Sequence, residues 1–352
     1  MLMFRKKILG ALMLIAAAAP RLSGQSYLFY LEAQGVAGWS SAANKFVTFS
    51  MSRSEVMQKP GLGFDFVQRI SGASGDLAVL AIQARLVVNT EGGDSTFEPQ
   101  LYNAYLKLKT GLADIWIGHN KPKFGLSSVL DNHASLLQPL SMMGFGFDRD
   151  WGIGLERDFS GGSAGLSLTT GSGMCLKTSG TEALTPTMGS GEGAGSKTVG
   201  SYFLAGRISK NILEQDNFSA GFSGAVGRVF DVVGYRRISE TPMPLLMAGV
   251  DLSWRHNNWE HNFEVMAGSR AELGAVAVFW RTGVGLLDEA RLKLEVQSVF
   301  TSMQGSSQFQ LGLGASYLAH PDWTLRTMVT YDSQFKDIKV LFQIYFYKGL
   351  HF

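Results

Sequence analysis

The amino-acid sequence predicts an all-β protein, a transmembrane antiparallel up-and-down β-barrel of about 16 strands. Three observations carry that expectation. The chain opens like an exported protein, its middle alternates apolar and polar residues at a period of two, and its last strand ends with phenylalanine on the apolar face.

At the start, Arg5, Lys6 and Lys7 precede an unbroken apolar stretch of 12 residues from Ile8 to Ala19. This is the layout of a signal peptide. A helix needs roughly 20 apolar residues to cross the hydrocarbon core of a bilayer, so a retained membrane helix is disfavoured. Pro20 follows the obvious small-residue cleavage site, which moves the expected cut to near Gly24. The predicted organisation is a signal peptide over 1–24 and a single barrel domain over 25–352. No cysteine lies in the leader, which excludes a lipid-anchored mature N-terminus, and the lone Cys175 excludes an internal disulfide framework. Stability must come from backbone pairing and packing.

Composition narrows the class. A net charge of +2 with 17% charged residues and no concentrated basic stretch argues against a nucleic-acid partner. The 42 glycines beside only 9 prolines, with 11% aromatics, fit many strands joined by turns.

Alternation is the pattern a strand needs when one face meets lipid and the other a polar lumen. Leu292, Leu294, Val296 and Phe300 share one parity, while Arg291, Lys293, Glu295 and Gln297 share the other. Phe309, Leu311, Leu313, Ala315 and Tyr317 alternate with Gln308, Gln310, Gly312, Gly314 and Ser316. The same rule places Tyr102, Ala104, Leu106 and Leu108 outward, with Asn103, Tyr105, Lys107 and Lys109 inward. Trp323, Leu325, Val329 and Tyr331 fall outward, opposite Thr324, Arg326, Thr330 and Asp332. A soluble sandwich would invert the two faces, and periodicity alone does not separate them. The leader, the terminal Phe352 on the parity of Val340, Phe342, Ile344 and Phe346, and the tryptophans favour the membrane. Trp151, Trp254, Trp259, Trp280 and Trp323 fall near expected strand ends, where interfacial girdles belong.

At about ten residues per strand, the candidates are 27–37, 61–71, 76–89, 98–109, 112–119, 149–158, 162–171 and 197–208. They continue at 217–229, 245–254, 259–269, 273–282, 290–302, 307–318, 323–332 and 337–347. Segment 45–51 is a further possible strand, which leaves fourteen or eighteen open. Alternate connections are largely tight turns, as at Gly72 to Gly75, Thr110–Gly111, Ser160–Gly161, Arg255 to Asn258 and Ala319 to Asp322; the exceptions are the longer turn 209–216 and the short outer loops late in the chain. The long segments 38–60, 120–148, 172–196 and 230–244 all fall on the opposite, extracellular side. A barrel of this size encloses an aqueous channel, so size points to transport.

The run Ile117-Gly118-His119-Asn120-Lys121-Pro122-Lys123-Phe124-Gly125-Leu126, followed by Arg149-Asp150-Trp151-Gly152-Ile153-Gly154, resembles the phosphate-selective porin family and related sixteen-stranded trimeric porins. His119 stands where that family often has Gln, and its proline is shifted to Pro122. The resemblance implies a homotrimer and a third extracellular loop, here 120–148, folded into the lumen. It places Lys121, Lys123, Asp131 and His133 near the constriction. Inward folding would bury the loop's apolar run of Leu136, Leu137, Pro139, Leu140, Met142 and Met143; capping the barrel mouth or forming a trimer contact is the alternative.

Parity nominates Arg69, Arg85, Lys107, Lys109, Arg291, Lys293 and Arg326 as lumen-facing, and Asp65, Asp150, Glu156, Asp251, Glu264 and Glu295 beside them. A ring of Arg and Lys would favour anions. Inward residues are polar whatever the pore selects, so anion preference rests on the loop lysines alone, and no dense Arg or Lys ladder supports phosphate selection.

The expected function is passive diffusion of small polar solutes or ions through the outer membrane, with membrane lipid and the solutes as partners. No cofactor is implied. A plugged structural or adhesive barrel is the alternative, with the Gly- and Ser-rich loop 172–196 as its candidate binding element. An outer-membrane hydrolase is a weaker one, because His119, His133, His256, His261, His320 and His351 are scattered and no cluster has metal-ligand spacing.

Overall fold

The structure, a computed structural model, describes residues 26–49, 58–73, 75–89, 96–130, 139–174, 200–212, 217–233 and 236–350. The leader 1–24, Asp131, His133, Leu136, Leu137, most of loop 172–196 and Phe352 lie outside the described residues.

Sixteen antiparallel strands close into a barrel. They are β1 Ser26–Ser40, β2 Gly61–Gly72, β3 Gly75–Asn89, β4 Thr96–Leu108, β5 Asp114–Asn120, β6 Asp150–Phe159, β7 Gly162–Thr169 and β8 Tyr202–Asn211. The second half is β9 Phe218–Val229, β10 Met243–His256, β11 Trp259–Arg270, β12 Leu273–Leu286, β13 Leu292–Met303, β14 Ser306–His320, β15 Trp323–Asp332 and β16 Asp337–Leu350. Each strand pairs with the next, and β1 pairs with β16 from Phe29↔Leu350 to Ser40↔Lys339, which leaves no free edge. Backbone groups have no water to bond in hydrocarbon, so closure is the only way a sheet can satisfy them there. The segment at 45–51 yields only the short strand Lys45–Val47, which folds back on the tip of β1 and adds no stave.

The two ends differ as expected. Where β1 begins and β16 finishes, the connections are short; at the other end lie the long loops, together with tight turns at 271–272, 304–305 and 333–336 late in the chain. Among the turns, 287–291 is lengthened by a 3-10 turn at Asp288–Ala290.

Alternation sorts the faces. Leu62, Phe222, Leu246, Val250, Val276, Leu313, Val340 and Phe342 are all exposed on the outer wall. An unbroken apolar exterior of this extent is a lipid-facing belt. Trp254, Trp259 and Trp323 gather at the turn end, and Trp39 packs edge-on against Phe46 at the loop end, so both rims carry aromatics. Trp280 departs from this, pairing in mid-strand with Phe263 and Ser298.

One parity prediction is corrected. Tyr102 faces inward and is fully buried. Across β3 and β4 the register jumps between Gln83↔Asn103 and Ala84↔Leu101, so Tyr102 is the extra residue of a β-bulge and the inward parity changes there. Asn103 and Lys107 still point inward, as expected.

A charge on the outer belt is therefore costly. Val250→Arg, at the middle of β10, is expected to destabilise the barrel by about 2–4 kcal/mol in urea unfolding from lipid vesicles.

Candidate functional site: the lumen and its constriction loop

The third extracellular connection, 121–149, enters the lumen over its described residues, 121–130 and 139–149. Its apolar residues Phe124, Leu126, Leu140, Phe145 and Phe147 are buried against inward side chains of β8 to β13, among them Phe203, Ala225, Met247, Met266, Ala277 and Phe279. Phe203 is the hub, meeting Phe124 at 6.0 Å and Phe147 at 5.3 Å, both edge-on. Polar contacts fix the register. Lys123 N donates to Ser167 Oγ at 2.9 Å, Gly125 N to Ser223 Oγ at 3.0 Å, and Leu126 N to Glu264 Oε1 at 2.5 Å. On the returning limb Arg270 Nη1 donates to the Gly144 carbonyl at 2.6 Å. Gly125 has φ 65°, and a Cβ there would collide with Glu264 and Met266, so the loop reaches the wall only through glycine.

Of the loop's apolar run, Pro139 and Leu140 are buried and Met142 and Met143 are half-buried. The wall beneath it was not anticipated. Leu245 and Met247, and Ala275, Ala277 and Phe279, point into the lumen while their neighbours Leu246, Val276 and Trp280 face lipid. A barrel strand apolar on both faces is the sequence signal for a covered inner wall, and 243–247 and 275–280 carry it.

Charges on the inner wall are paired. Arg207 grips Asp251 with Nε to Oδ2 at 3.0 Å and Nη2 to Oδ1 at 2.7 Å, a bidentate pair buried near the docked loop. Towards the turn end, Arg281 binds Glu295 at 2.8 Å and Glu260 at 3.4 Å, and Lys293 binds Glu260 at 2.8 Å. Glu156 sits between two lysines, with Lys107 and Lys123 each at 2.7 Å. Arg85 Nε lies 3.2 Å from Glu32 Oε1, and its other nitrogens donate to Tyr102 Oη at 2.9 Å and Gln34 Oε1 at 3.1 Å. The Tyr102 ring lies between the guanidiniums of Arg85 and Arg149, at 5.5 and 5.3 Å.

The predicted residues sort as follows. Arg85, Lys107, Lys293 and Arg326 face inward; Arg326 bonds Ser316 Oγ at 3.0 Å and Gln343 Oε1 at 2.6 Å. Arg69 shares the inward parity of Asp65 and is exposed near the turn end. Lys109 lies just past the end of β4 and pairs with Asp114 across the turn. Arg291 is a correction: it closes the 287–291 turn, its guanidinium stands over the outward Tyr317 ring at 5.9 Å, and it bonds the Leu318 and Ala319 carbonyls. The turn interrupts the alternation on which its lumen assignment rested. Lys123 is taken up by Glu156 and Lys121 by the Leu130 carbonyl, so the two loop lysines tether the loop's own root. Asp131 and His133 lie outside the described residues. Of the six acids, Asp65, Glu156, Asp251, Glu264 and Glu295 line the lumen wall, whereas Asp150 is buried under loop backbone, accepting from Thr170 Oγ1 and Gly171 N. Glu32, Arg207, Glu260 and Arg281 complete the ion pairs and were not nominated, because parity finds a face without finding partners across strands.

No family model matches this sequence, and no curated protein matches it. Solved structures do match in shape. OmpF of Salmonella typhi in complex with daunomycin superposes with a TM-score of 0.63 over 92% of this chain and 98% of that chain, at 10% identity. The anion-selective porin from Comamonas acidovorans gives 0.60 over 92% and 100%, at 10% identity. OmpT of Vibrio cholerae, an outer membrane protein, in a trimer form, gives 0.60 over 92% and 99%, at 8% identity. The likeness is one of fold: this chain has the fold of the sixteen-stranded porins. That fold, with its lipid-facing belt, is that of a bacterial outer-membrane protein.

Glu264 is the polar anchor of the constriction loop. Glu264→Ala leaves the buried Leu126 amide without an acceptor, at a cost of about 1–3 kcal/mol. Amide hydrogen exchange at Leu126 is expected to speed up by about tenfold or more; unchanged protection would mean that the aromatic cluster holds the loop alone.

Proposed function

We propose that this protein is a passive diffusion channel for small polar solutes, working as a trimer. One observation carries the reading. Inside the barrel, a wall of charged and polar side chains stays partly open to water while the described part of the constriction loop packs on β8 to β13. Lys107, Glu156 and Lys123 keep about a fifth of their side-chain surface accessible, and Glu260 and Lys293 somewhat more. Polar wall and apolar exterior together are the arrangement of a wet lumen crossing lipid.

The trimer is inferred from the resemblance of 117–126 and 149–154 to trimeric porins, and from the trimer form of the Vibrio cholerae neighbour. Selectivity is proposed to be weak. Anion preference rests on Lys121 and Lys123, whose amines meet a carbonyl and a carboxylate; paired charges present little net field to a passing ion. The hydrolase alternative gains no support. Among the described residues His119 Nδ1 meets the Tyr102 carbonyl, and His261 Nδ1 meets Thr282 Oγ1 at 2.8 Å while its ring is stacked against Trp254 and Trp259.

Single-channel recording of the refolded protein under a salt gradient tests the proposal. Stable steps with a reversal potential near zero are expected, moving towards cations in the variant Lys121→Glu with Lys123→Glu. A wild-type preference for anions that this variant abolishes would favour the anion-leaning reading. Folded barrels without steps would sink the channel and favour a plugged, binding barrel.

A further inference from the structure

The constriction loop packs on β8 to β13, and the seam where β16 meets β1 lies outside that stretch of wall. The seam carries tyrosines. Tyr345 and Tyr347 share the inward parity of Lys339, Leu341 and Gln343 on β16, while Phe342 and Ile344 face lipid. Tyr30, on the inward parity of Glu32 and Gln34, stands beside them on β1. The Tyr30 and Tyr347 rings are stacked at 4.8 Å and 8°, and those of Tyr345 and Tyr347 lie 6.2 Å apart at 9°. All three rings are half-buried, so part of each remains open to the lumen.

A wall that needs only to be wet has no need of three aligned rings, whose carbon surface is poorly hydrated. Polar groups border the stack. Tyr347 Oη donates to Asp65 Oδ2 at 3.1 Å. Asp65, Gln83 and Asn103 then continue one cross-strand row over β2, β3 and β4, with Asn103 Nδ2 donating to Gln83 Oε1 at 2.8 Å. Asp65 brings a carboxylate to the stack itself, while Glu32 and Arg85 beside it pair with each other at 3.2 Å. The surface therefore combines aromatic carbon with hydrogen-bond donors and acceptors, one of them a carboxylate.

A neutral solute with apolar C–H patches and a rim of hydroxyls matches that combination, its hydroxyls donating to the carboxylate and its C–H faces covering the rings. We infer that the Tyr30, Tyr347 and Tyr345 stack, with Asp65 and Gln83, is a contact site for neutral mono- or disaccharides in transit. This rests on the channel reading above. Transient seating of a sugar on the rings covers aromatic surface, while its hydroxyls exchange water for the Asp65 and Gln83 side chains.

The test is block of the salt current by glucose or maltose in planar bilayers, read as the half-blocking concentration relative to each variant's own conductance. Wild-type channels are expected to show concentration-dependent block. In Tyr345→Leu with Tyr347→Leu, which keeps apolar volume and removes the rings, the half-blocking concentration should rise by about tenfold. Tyr347→Phe, which keeps the ring and loses the hydroxyl, should give a smaller rise and serves if the leucine variant does not fold. Steps that neither sugar affects overturn the site and leave the channel standing. Equal block in wild type and variants overturns its assignment to this stack. Folded barrels without steps overturn the channel reading, and this inference with it.

Discussion

Closure of the sheet is the constraint on which everything else depends. A backbone N–H or C=O exposed to hydrocarbon costs several kcal/mol, so the pairing of β1 with β16 is a condition for the barrel's existence in a membrane. Once the sheet is closed, each strand has an outside and an inside, and period-two alternation becomes an instruction about solvent. Leu246, Val250 and Leu252 meet lipid, while Asp251 and Ser253 on the same strand do not. Sixteen strands also enclose more space than wall side chains can fill, which makes room for a loop and for water.

That interior is divided. From β8 to β13 the inner wall is apolar towards the loop end and is covered by the constriction loop; from β14 through β1 to β5 it is mostly polar, charged or aromatic. The loop thus behaves as a small hydrophobic core inside a membrane protein. It buries aromatic and aliphatic side chains that water would otherwise surround, and the Ser223 and Glu264 acceptors satisfy backbone amides that this burial removes from solvent. Asp251 and Arg207, close to the same site, are held by a bidentate pair, which lets a charged wall lie beside an apolar one.

The ion pairs change how a lumen charge is interpreted. Glu156 joins Lys107 of one strand to Lys123 of the loop, and Glu260 joins Arg281 to Lys293. Such groups keep the wall hydrated and the loop root in place, and their fields largely cancel at the distance of a passing solute. The stacked tyrosines at the barrel seam are the part of the wall whose composition exceeds what hydration requires.

The fold was legible in the sequence because it depends on a local property: which neighbour along a strand is apolar. Alternation in 292–300 and 308–317, tight turns at most alternate connections and the resemblance at 117–126 were enough to predict about sixteen strands, their up-and-down order and an inward-folding loop over 120–148. Where the backbone breaks period two, local reading failed. The bulge at Tyr102 turned that ring inward, and the turn at 287–291 carried Arg291 out over Tyr317. Partners were not legible at all. That Lys123 meets Glu156, that Arg207 meets Asp251, and that Tyr30 stacks on Tyr347 across the seam all depend on register between strands, up to the whole length of the chain apart. Sequence determined the faces because solvent sorts residues one at a time; tertiary structure decided the contacts because only closure of the sheet sets which residues stand opposite one another.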